Sequence, residues 1–392
     1  MSIMTDPKLG LMDGPVHDRL ERLSCSRRWY DWAGYAAPAT LETLENEYFA
    51  LRNQAALLDI SPMKKYRITG PASEAMLNRL VTRDVRKIAV GRVSYVVWCD
   101  EEGMLIDDGT LFRLAQDEWL LCCQEPMLTW LCDAVWGFDA RIEDDSDRLA
   151  GLALQGPTSF ALLEAAGLDV ATLRPFDCAR IAPDLLVSRT GFTGDLGYEL
   201  WTDWPEAAAL WDRLWDAGWD LGLRGIGYDA VNIARIEAGF ITAGVDFQPV
   251  HATERLHRGR TPFELGLSRL VDFDKGHFNG RRALWKVRNS PRSLLLRVDV
   301  EGFKPAQDAL VYHGRRREVG HITSGVWSPT AKRNIALAHV ETPWAITGKT
   351  NLFADIYVLE EGQWNRRMAR LTPQTGAFFK PPRARLTPPA RH

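Results

Sequence analysis

The stretch Ser188-Arg189-Thr190-Gly191-Phe192-Thr193-Gly194-Asp195-Leu196-Gly197-Tyr198-Glu199-Leu200 joins a glycine-punctuated turn, an aromatic ring and a carboxylate where a strand resumes. Three glycines within seven residues permit positive φ angles or close backbone approach. Phe192 offers a ring for stacking, and Glu199 a carboxylate able to accept two parallel hydrogen bonds. These properties suit one wall of a pocket for a flat ligand, and they suit equally a tight hairpin with a surface glutamate. Its company in the chain has to decide between the two.

Upstream, Leu41, Leu44, Tyr48, Leu51, Ala55 and Leu58 recur at three- and four-residue spacing, which predicts a helix over 41–58. Lys65 to Thr69 alternates and stops at Gly70-Pro71, ahead of a helix from Ala75 to Val81. Strand character follows at Ser94 to Cys99, Leu111 to Leu114 and Trp119 to Cys123. A further strand ends at Gly156-Pro157 before a helix from Ser159, so a Gly-Pro-helix pattern occurs twice, as an internal duplication produces. Helices are expected over 205–218 and 228–238. Trp204, Trp211, Trp215 and Trp219 share the first of these amphipathic windows and are expected to pack a core face. From Ser293 onward, short β-rich runs separated by glycine and proline predict a C-terminal β domain, and the Pro381 to Pro389 tail is expected to wrap the surface. The whole order favours α+β layers.

At 392 residues the chain exceeds what one core usually holds, so two or three domains are expected. A net charge of -3 gives no basic excess for nucleic acid. No run approaches the roughly 20 apolar residues of a membrane span. Asp6, Asp13 and Asp18 interrupt the N-terminal region where a secretory leader needs an apolar run. The six cysteines have no two-residue spacing, and the eight histidines form no HExxH pattern, so reduced thiols, no bound metal and a cytoplasmic location are expected.

Chemistry is concentrated in three places. Asp100 to Gly109 carries a turn, an apolar run and then Asp107-Asp108; in a strand these two carboxylates point to opposite faces, so one can enter a pocket while the other meets a backbone donor. Tyr95 lies twelve residues before Asp107, an even separation compatible with a shared face if a hairpin connects them. Arg235-Ile236-Glu237-Ala238-Gly239 ends a helix at glycine, where Arg235 is compatible both with an anion contact and with local pairing to Glu237.

Taken in order, these pieces resemble the glycine cleavage T-protein (aminomethyltransferase) family and its folate-dependent demethylase relatives. The resemblance runs from about Glu47 to Val340, through Leu57-Leu58-Asp59-Ile60-Ser61, Ile106-Asp107-Asp108, Leu154-Gln155-Gly156-Pro157, Arg189 to Glu199, Ile236 to Gly239, Lys275 to Leu284 and Ile322 to Thr330. It implies a three-domain cloverleaf around a central folate channel: residues 1–290 as a folate-binding region of two interleaved α+β domains, the second about 56–150, and 291–392 as a C-terminal barrel-like domain and tail. By the same resemblance, Asp107 takes the catalytic aspartate position. Tyr95, Phe192, Glu199 and Arg235 take folate-binding positions, with Glu199 on the pterin. The implied acceptor is tetrahydrofolate, and the implied partner a small-molecule one-carbon donor.

The chain also departs from the family. Ala230-Val231-Asn232 stands where T-proteins carry Ala-Arg-Asp, Gln124 where they carry Asn, and Trp32-Ala33-Gly34-Tyr35 where they carry a Phe-Gly-Trp pattern. These changes disfavour docking of a lipoyl carrier protein. They suit a stand-alone demethylase of a sulfonium or methoxy-aromatic compound, although such relatives often lack the aspartate at 107. Non-catalytic folate-binding proteins of iron-sulfur maintenance carry Lys-Gly-Cys-Tyr, where this chain has Lys275-Gly276-His277-Phe278.

Overall fold

The computed structural model describes residues 10–253, 258–302, 304–346 and 351–390; Asp6, used in the N-terminal reading, lies outside them. Three β structures organise the chain. A five-stranded antiparallel sheet runs Arg92–Cys99, Leu105–Ala115, Glu118–Cys123, Lys64–Thr69, Arg141–Asp144. A six-stranded sheet runs Cys178–Ala182, Leu185–Ser188, Gly197–Asp203, Leu149–Gln155, Ala56–Asp59, Arg224–Gly225, with only the last pairing parallel. Strands from Ser293–Val300 to Gln363–Gln374 close a six-stranded barrel.

Each sheet separates its residues by the two-residue strand period. In the five-stranded sheet Leu111 and Leu121 face the helix Ser73–Leu80, while Phe112 and Leu120 face the other sheet. In the six-stranded sheet Leu152, Leu154, Tyr198 and Leu200 pack on the helices Ser159–Ala165 and Ala207–Gly218, while Leu58, Ala153, Leu186 and Trp201 meet Val93, Phe112 and Leu120. The two sheets are thus joined through their inner faces. Burying Phe112 and Trp201 edge to face at 6.0 Å supplies about 1.5–3 kcal/mol per side chain.

The helix predicted over 41–58 is shorter. It spans Leu44–Asn53, capped by Thr43, and Ala56–Asp59 forms a strand with all four residues buried. An apolar run of four suits a central strand as well as a helix turn, and the pairing partners on both sides settle it. The two Gly-Pro corners match: Gly70 and Gly156 have φ of +116° and +118°, and a Cβ there would lie 2.7 Å and 2.5 Å from backbone carbonyls of Asp139 and Gln54. Of the four tryptophans expected on a core face, Trp211 is buried, while Trp219 falls past the helix in a 3₁₀ turn and is 70% exposed.

Helix Tyr228–Ala238 is the hub between these units. Its Glu237, fully buried, accepts from Tyr48 Oη at 2.5 Å and Ser328 Oγ at 2.5 Å through one oxygen, and from Arg52 Nε at 3.0 Å and Nη2 at 2.5 Å through the other. That carboxylate joins the helix Leu44–Asn53 to the barrel. Arg52 in turn lies 4.2 Å from the Phe379 ring, and Arg383 clasps Asp195 through Nε and Nη2 at 2.7 and 2.8 Å, so the tail is tied across the Ser188 to Leu200 segment. Removing one partner of a buried charge pair strands the other. Glu237→Ala is therefore expected to lower stability by about 3–5 kcal/mol in urea unfolding, and Glu237→Gln, which keeps acceptor capacity for Tyr48 and Ser328, by less.

Candidate active site

Strand register decides which carboxylate meets Tyr95. A bulge between Trp98 and Cys99 pairs Cys99 with Leu105 and Trp98 with Asp107, so Ile106 is the extra residue. One extra residue exchanges the faces of everything beyond it. Tyr95 consequently opposes Thr110, and its hydroxyl donates to Asp108 Oδ2 at 2.7 Å. The expectation that Tyr95 and Asp107 share a face is corrected. Asp107 is fully buried on the helix side with Trp98, accepting from the backbone N–H of Asp108 at 2.8 Å and of Glu125 at 3.3 Å. Asp108 remains half-buried on the inner face. Burial holds both carboxyls above the usual carboxylate range. Asp107 is raised further by the charge of Asp108, while the Tyr95 hydroxyl favours ionised Asp108.

Across the sheet interface stands the opening segment. Gly191 and Gly197 are needed for close approach: a Cβ on them would lie 2.0 Å and 2.3 Å from Gln155 Oε1. Only Gly194 has a positive φ, +71°, with Ala238 Cβ 2.5 Å from where its own would be. Gln155 threads the hairpin, donating to Thr190 O at 3.2 Å and Tyr198 O at 3.3 Å and accepting from Thr193 Oγ1 at 3.0 Å. The chain is thereby held so that Glu199 lies on the same inner face as Trp201, opposite Ser188 and Ala153. Thr190 Oγ1 donates to Glu199 Oε2 at 2.7 Å and is linked to Ser188 Oγ at 2.6 Å. Burial pushes the Glu199 carboxyl up to about 7, against the pull of the Thr190 and Ser188 hydroxyls. Phe192, 38% exposed, stacks on Phe240 with ring centroids 5.7 Å apart.

The two walls face one another. Cys122 pairs with Thr110, which pairs with Tyr95, and the Cys122 thiol, raised first by burial, is raised further by the charge of Glu199. Between these rows the structure offers a carboxylate with hydroxyl support, a half-exposed ring, and a second carboxylate held by a tyrosine. Such a set can accept a pair of N–H donors from a planar heterocycle on one side and orient a basic nitrogen on the other. A reduced folate has these features, so the residues fit it.

Arg235 is buried, and its guanidinium is engaged by protein groups. It donates to Asn232 Oδ1 at 2.9 Å, Phe240 O at 3.1 Å, Asp246 Oδ2 at 2.5 Å and Ser324 Oγ at 2.8 Å. Its partner is Asp246, and Glu237 pairs with Arg52 instead. Asp246 also accepts from Thr323 and Ser324 at 2.6 and 2.7 Å, so this network docks the barrel beside the site. Trp98, opposite Asp107, lies in the helix-side core. The sequence leaves open which of Asp107 and Asp108 enters the pocket, and it gives no signal for the roles of Thr190, Phe240 and Asp246. Among the described residues no cluster of three or more His, Cys, Asp or Glu is arranged to hold a metal, and no helix is long and apolar enough to cross a membrane.

Comparison with known proteins agrees with this architecture. Residues 17–275 match the GCVT N-terminal domain, and residues 292–357 the glycine cleavage T-protein C-terminal barrel domain. An aminomethyltransferase of Streptomyces avermitilis is 32% identical over 362 residues, covering 88% of this chain and 94% of that protein. A trimethylamine-oxide aldolase of Ruegeria pomeroyi is 33% identical over 356 residues, covering 86% of this chain but 44% of that protein. The crystal structure of glycine cleavage system aminomethyltransferase T from Bartonella henselae superposes with a TM-score of 0.84 at 24% identity, covering 94% of this chain and 98% of that one, and shows the shared fold. The chain belongs to the glycine cleavage T-protein family and is an enzyme of the aminomethyltransferase type.

Proposed function

We propose that the protein transfers a one-carbon unit from a small methylated or aminomethyl donor to tetrahydrofolate. The observation that carries this reading is that Glu199 on one sheet faces, on the other, Tyr95 hydrogen-bonded to Asp108 at 2.7 Å, within a T-protein fold. Glu199 receives the amino and ring N–H donors of the pterin, much as carboxylates receive base edges, and Phe192 stacks on it. The reduced folate supplies the nucleophilic nitrogen that accepts the one-carbon unit. Asp108 orients that nitrogen and takes its proton or faces its developing positive charge, and Tyr95 fixes the rotamer of Asp108. Asp107, the position named from the resemblance, acts from behind by bracing the Asp108 and Glu125 backbone. Arg235 supports the site through Asp246 and has no role in holding folate.

The likeness to trimethylamine-oxide aldolase favours a free amine-derived donor over an aminomethyl group carried on a lipoyl protein. The changed positions 230–232 point the same way. Sulfonium or methoxy-aromatic donors are the second choice, since nothing in the site selects for sulfur or an aryl ether. The reaction is tested by incubating the protein with tetrahydrofolate and methylated amines, sulfonium compounds, methoxy-aromatics or aminomethyl-lipoyl carrier, and identifying the folate product by mass spectrometry. An amine-dependent methyl- or methylene-folate is expected; no product from any donor, with folate bound tightly, would point to a non-catalytic folate protein.

Asp108→Asn is expected to lower kcat by roughly 10²–10³-fold with folate affinity retained, and Asp107→Asn to do less, measured by single-turnover kinetics. Glu199→Ala is expected to cost about 2–5 kcal/mol of folate binding by titration calorimetry. The ionised Glu199 is the form that accepts two donors, so wild-type affinity should weaken as pH falls below about 7. The linkage with stability has the opposite sense. A carboxyl whose folded pKa is raised favours the folded state at low pH, and that advantage is lost as pH rises to about 7. Glu199→Gln should therefore raise Tm at pH 8 and leave it unchanged at pH 4.

A further inference from the structure

We infer that Arg83, Arg269 and Arg297 form a carboxylate-binding subsite at the rim of the site, beside Tyr95 and Gly239. The assignment rests on the reading of the Tyr95–Asp108 region as the reaction centre. Arg83 is half-buried, and its Nη1 donates to Tyr95 O at 3.1 Å. Backbone ties bring Arg269 beside it: Thr82 Oγ1 donates to Leu270 O at 2.8 Å, and the Asp272 N–H to Thr82 O at 3.0 Å. From the barrel, Arg297 lies over the glycine that ends the hub helix, with Nη2 donating to Gly239 O at 3.1 Å. The next residue, Phe240, stacks on Phe192.

Three elements from different parts of the chain thus bring Arg269 within charge range of both Arg83 and Arg297, and among the described residues none of the three forms an ion pair. The contrast with other arginines is informative: Arg52, Arg67, Arg92 and Arg235 each face a carboxylate. Nearby acids are turned elsewhere, Asp84 to Arg86 and Asp272 to Lys87, and Asp108 is held by Tyr95. Lys275 adds a buried amine close by, bonded to the carbonyls of Val81 and Arg83 at 2.6 and 2.7 Å. Arg297 Nε is buried and has no hydrogen-bond partner among the described residues. Burial, and then the charge of Arg269, disfavour the charged forms of Arg83 and Arg297. Like charges gathered without a counter-charge are costly, and an anion entering between them relieves both the repulsion and the unused donor.

Guanidinium forks match carboxylates bidentately. In this reaction a carboxylate has two sources: the glutamate end of folate, or an acid group on a donor such as an N-methylated amino acid. Both place their neutral or reacting portion toward Tyr95 and Asp108.

The test is calorimetric titration of the full chain with three probes: p-aminobenzoylglutamate, N,N-dimethylglycine and tetrahydropteroate, which lacks the glutamate. Wild type is expected to bind at least one carboxylate probe. Arg269→Ala and Arg297→Gln should each weaken that probe by roughly tenfold or more, while tetrahydropteroate binding stays unchanged. Arg269 is exposed and makes no side-chain hydrogen bond among the described residues, so its variant keeps the fold intact. A response confined to p-aminobenzoylglutamate assigns the subsite to the folate tail, and one confined to dimethylglycine assigns it to the donor. If wild type binds neither carboxylate probe, or the variants bind them as wild type does, the inference is overturned. If tetrahydropteroate alone fails to bind wild type, the pterin assignment falls and the subsite stands.

Discussion

The last two turns of the helix Tyr228–Ala238 carry the constraint on which the molecule depends, a pair of buried arginine–carboxylate contacts facing opposite ways. Glu237 takes Arg52 from the helix Leu44–Asn53, and Arg235 takes Asp246 from the loop that leads to the barrel. Each contact also reaches barrel hydroxyls, Ser328 in the first and Thr323 and Ser324 in the second. Buried charges require full pairing, so the helix has one position relative to both neighbours. Gly239 then ends it with a φ of +72° and turns the chain so that Phe240 meets Phe192. Through Arg52, the same network holds Thr193 O at 3.0 Å and so fixes the tip of the Glu199 hairpin.

The site inherits its polarity from sheet packing. Inner faces of the two sheets are apolar where they touch, at Phe112, Leu120, Leu186 and Trp201, and become polar toward the barrel, at Glu199, Tyr95 and Asp108. Carboxyl groups in this position are partly stripped of water and, among the described residues, not paired with cations. Their proton affinities rise for that reason, and they retain capacity to accept hydrogen bonds from a ligand. Arginines that a stability argument would put next to them are committed to the hub helix or stand at the rim. Internal cations that build the frame are thus divided from rim cations that form no ion pair among the described residues.

Much of this was legible in the sequence. The α+β order, the C-terminal barrel and the family followed from colinear motifs, and Phe192 and Glu199 could be singled out because glycines, an aromatic ring and a carboxylate were gathered in one hairpin. What local reading could not reach was parity. Asp107 and Asp108 differ by one residue, and the single bulged residue Ile106 decides which one shares a face with Tyr95. Neither composition nor spacing reports a bulge. The partner of Arg235 was missed for a related reason: Glu237 is close in sequence but points to the other side of the helix, and Asp246 returns only after the chain has turned at Gly239. The helix predicted over 41–58 overran because a buried four-residue strand and a helix turn share the same apolar letters.

Burial raises the Glu199 carboxyl to about 7, and the proposed pterin contact draws it to the fully ionised carboxylate. Difference infrared spectroscopy at pH 6.5 reports that change directly, on adding reduced folate to the wild type and to Glu199→Gln. The account predicts loss of a protonated-carboxyl band with gain of a carboxylate band in the wild type, and absence of both changes in the variant. Folate binding with no such change in the wild type, or with the same change in Glu199→Gln, would contradict it.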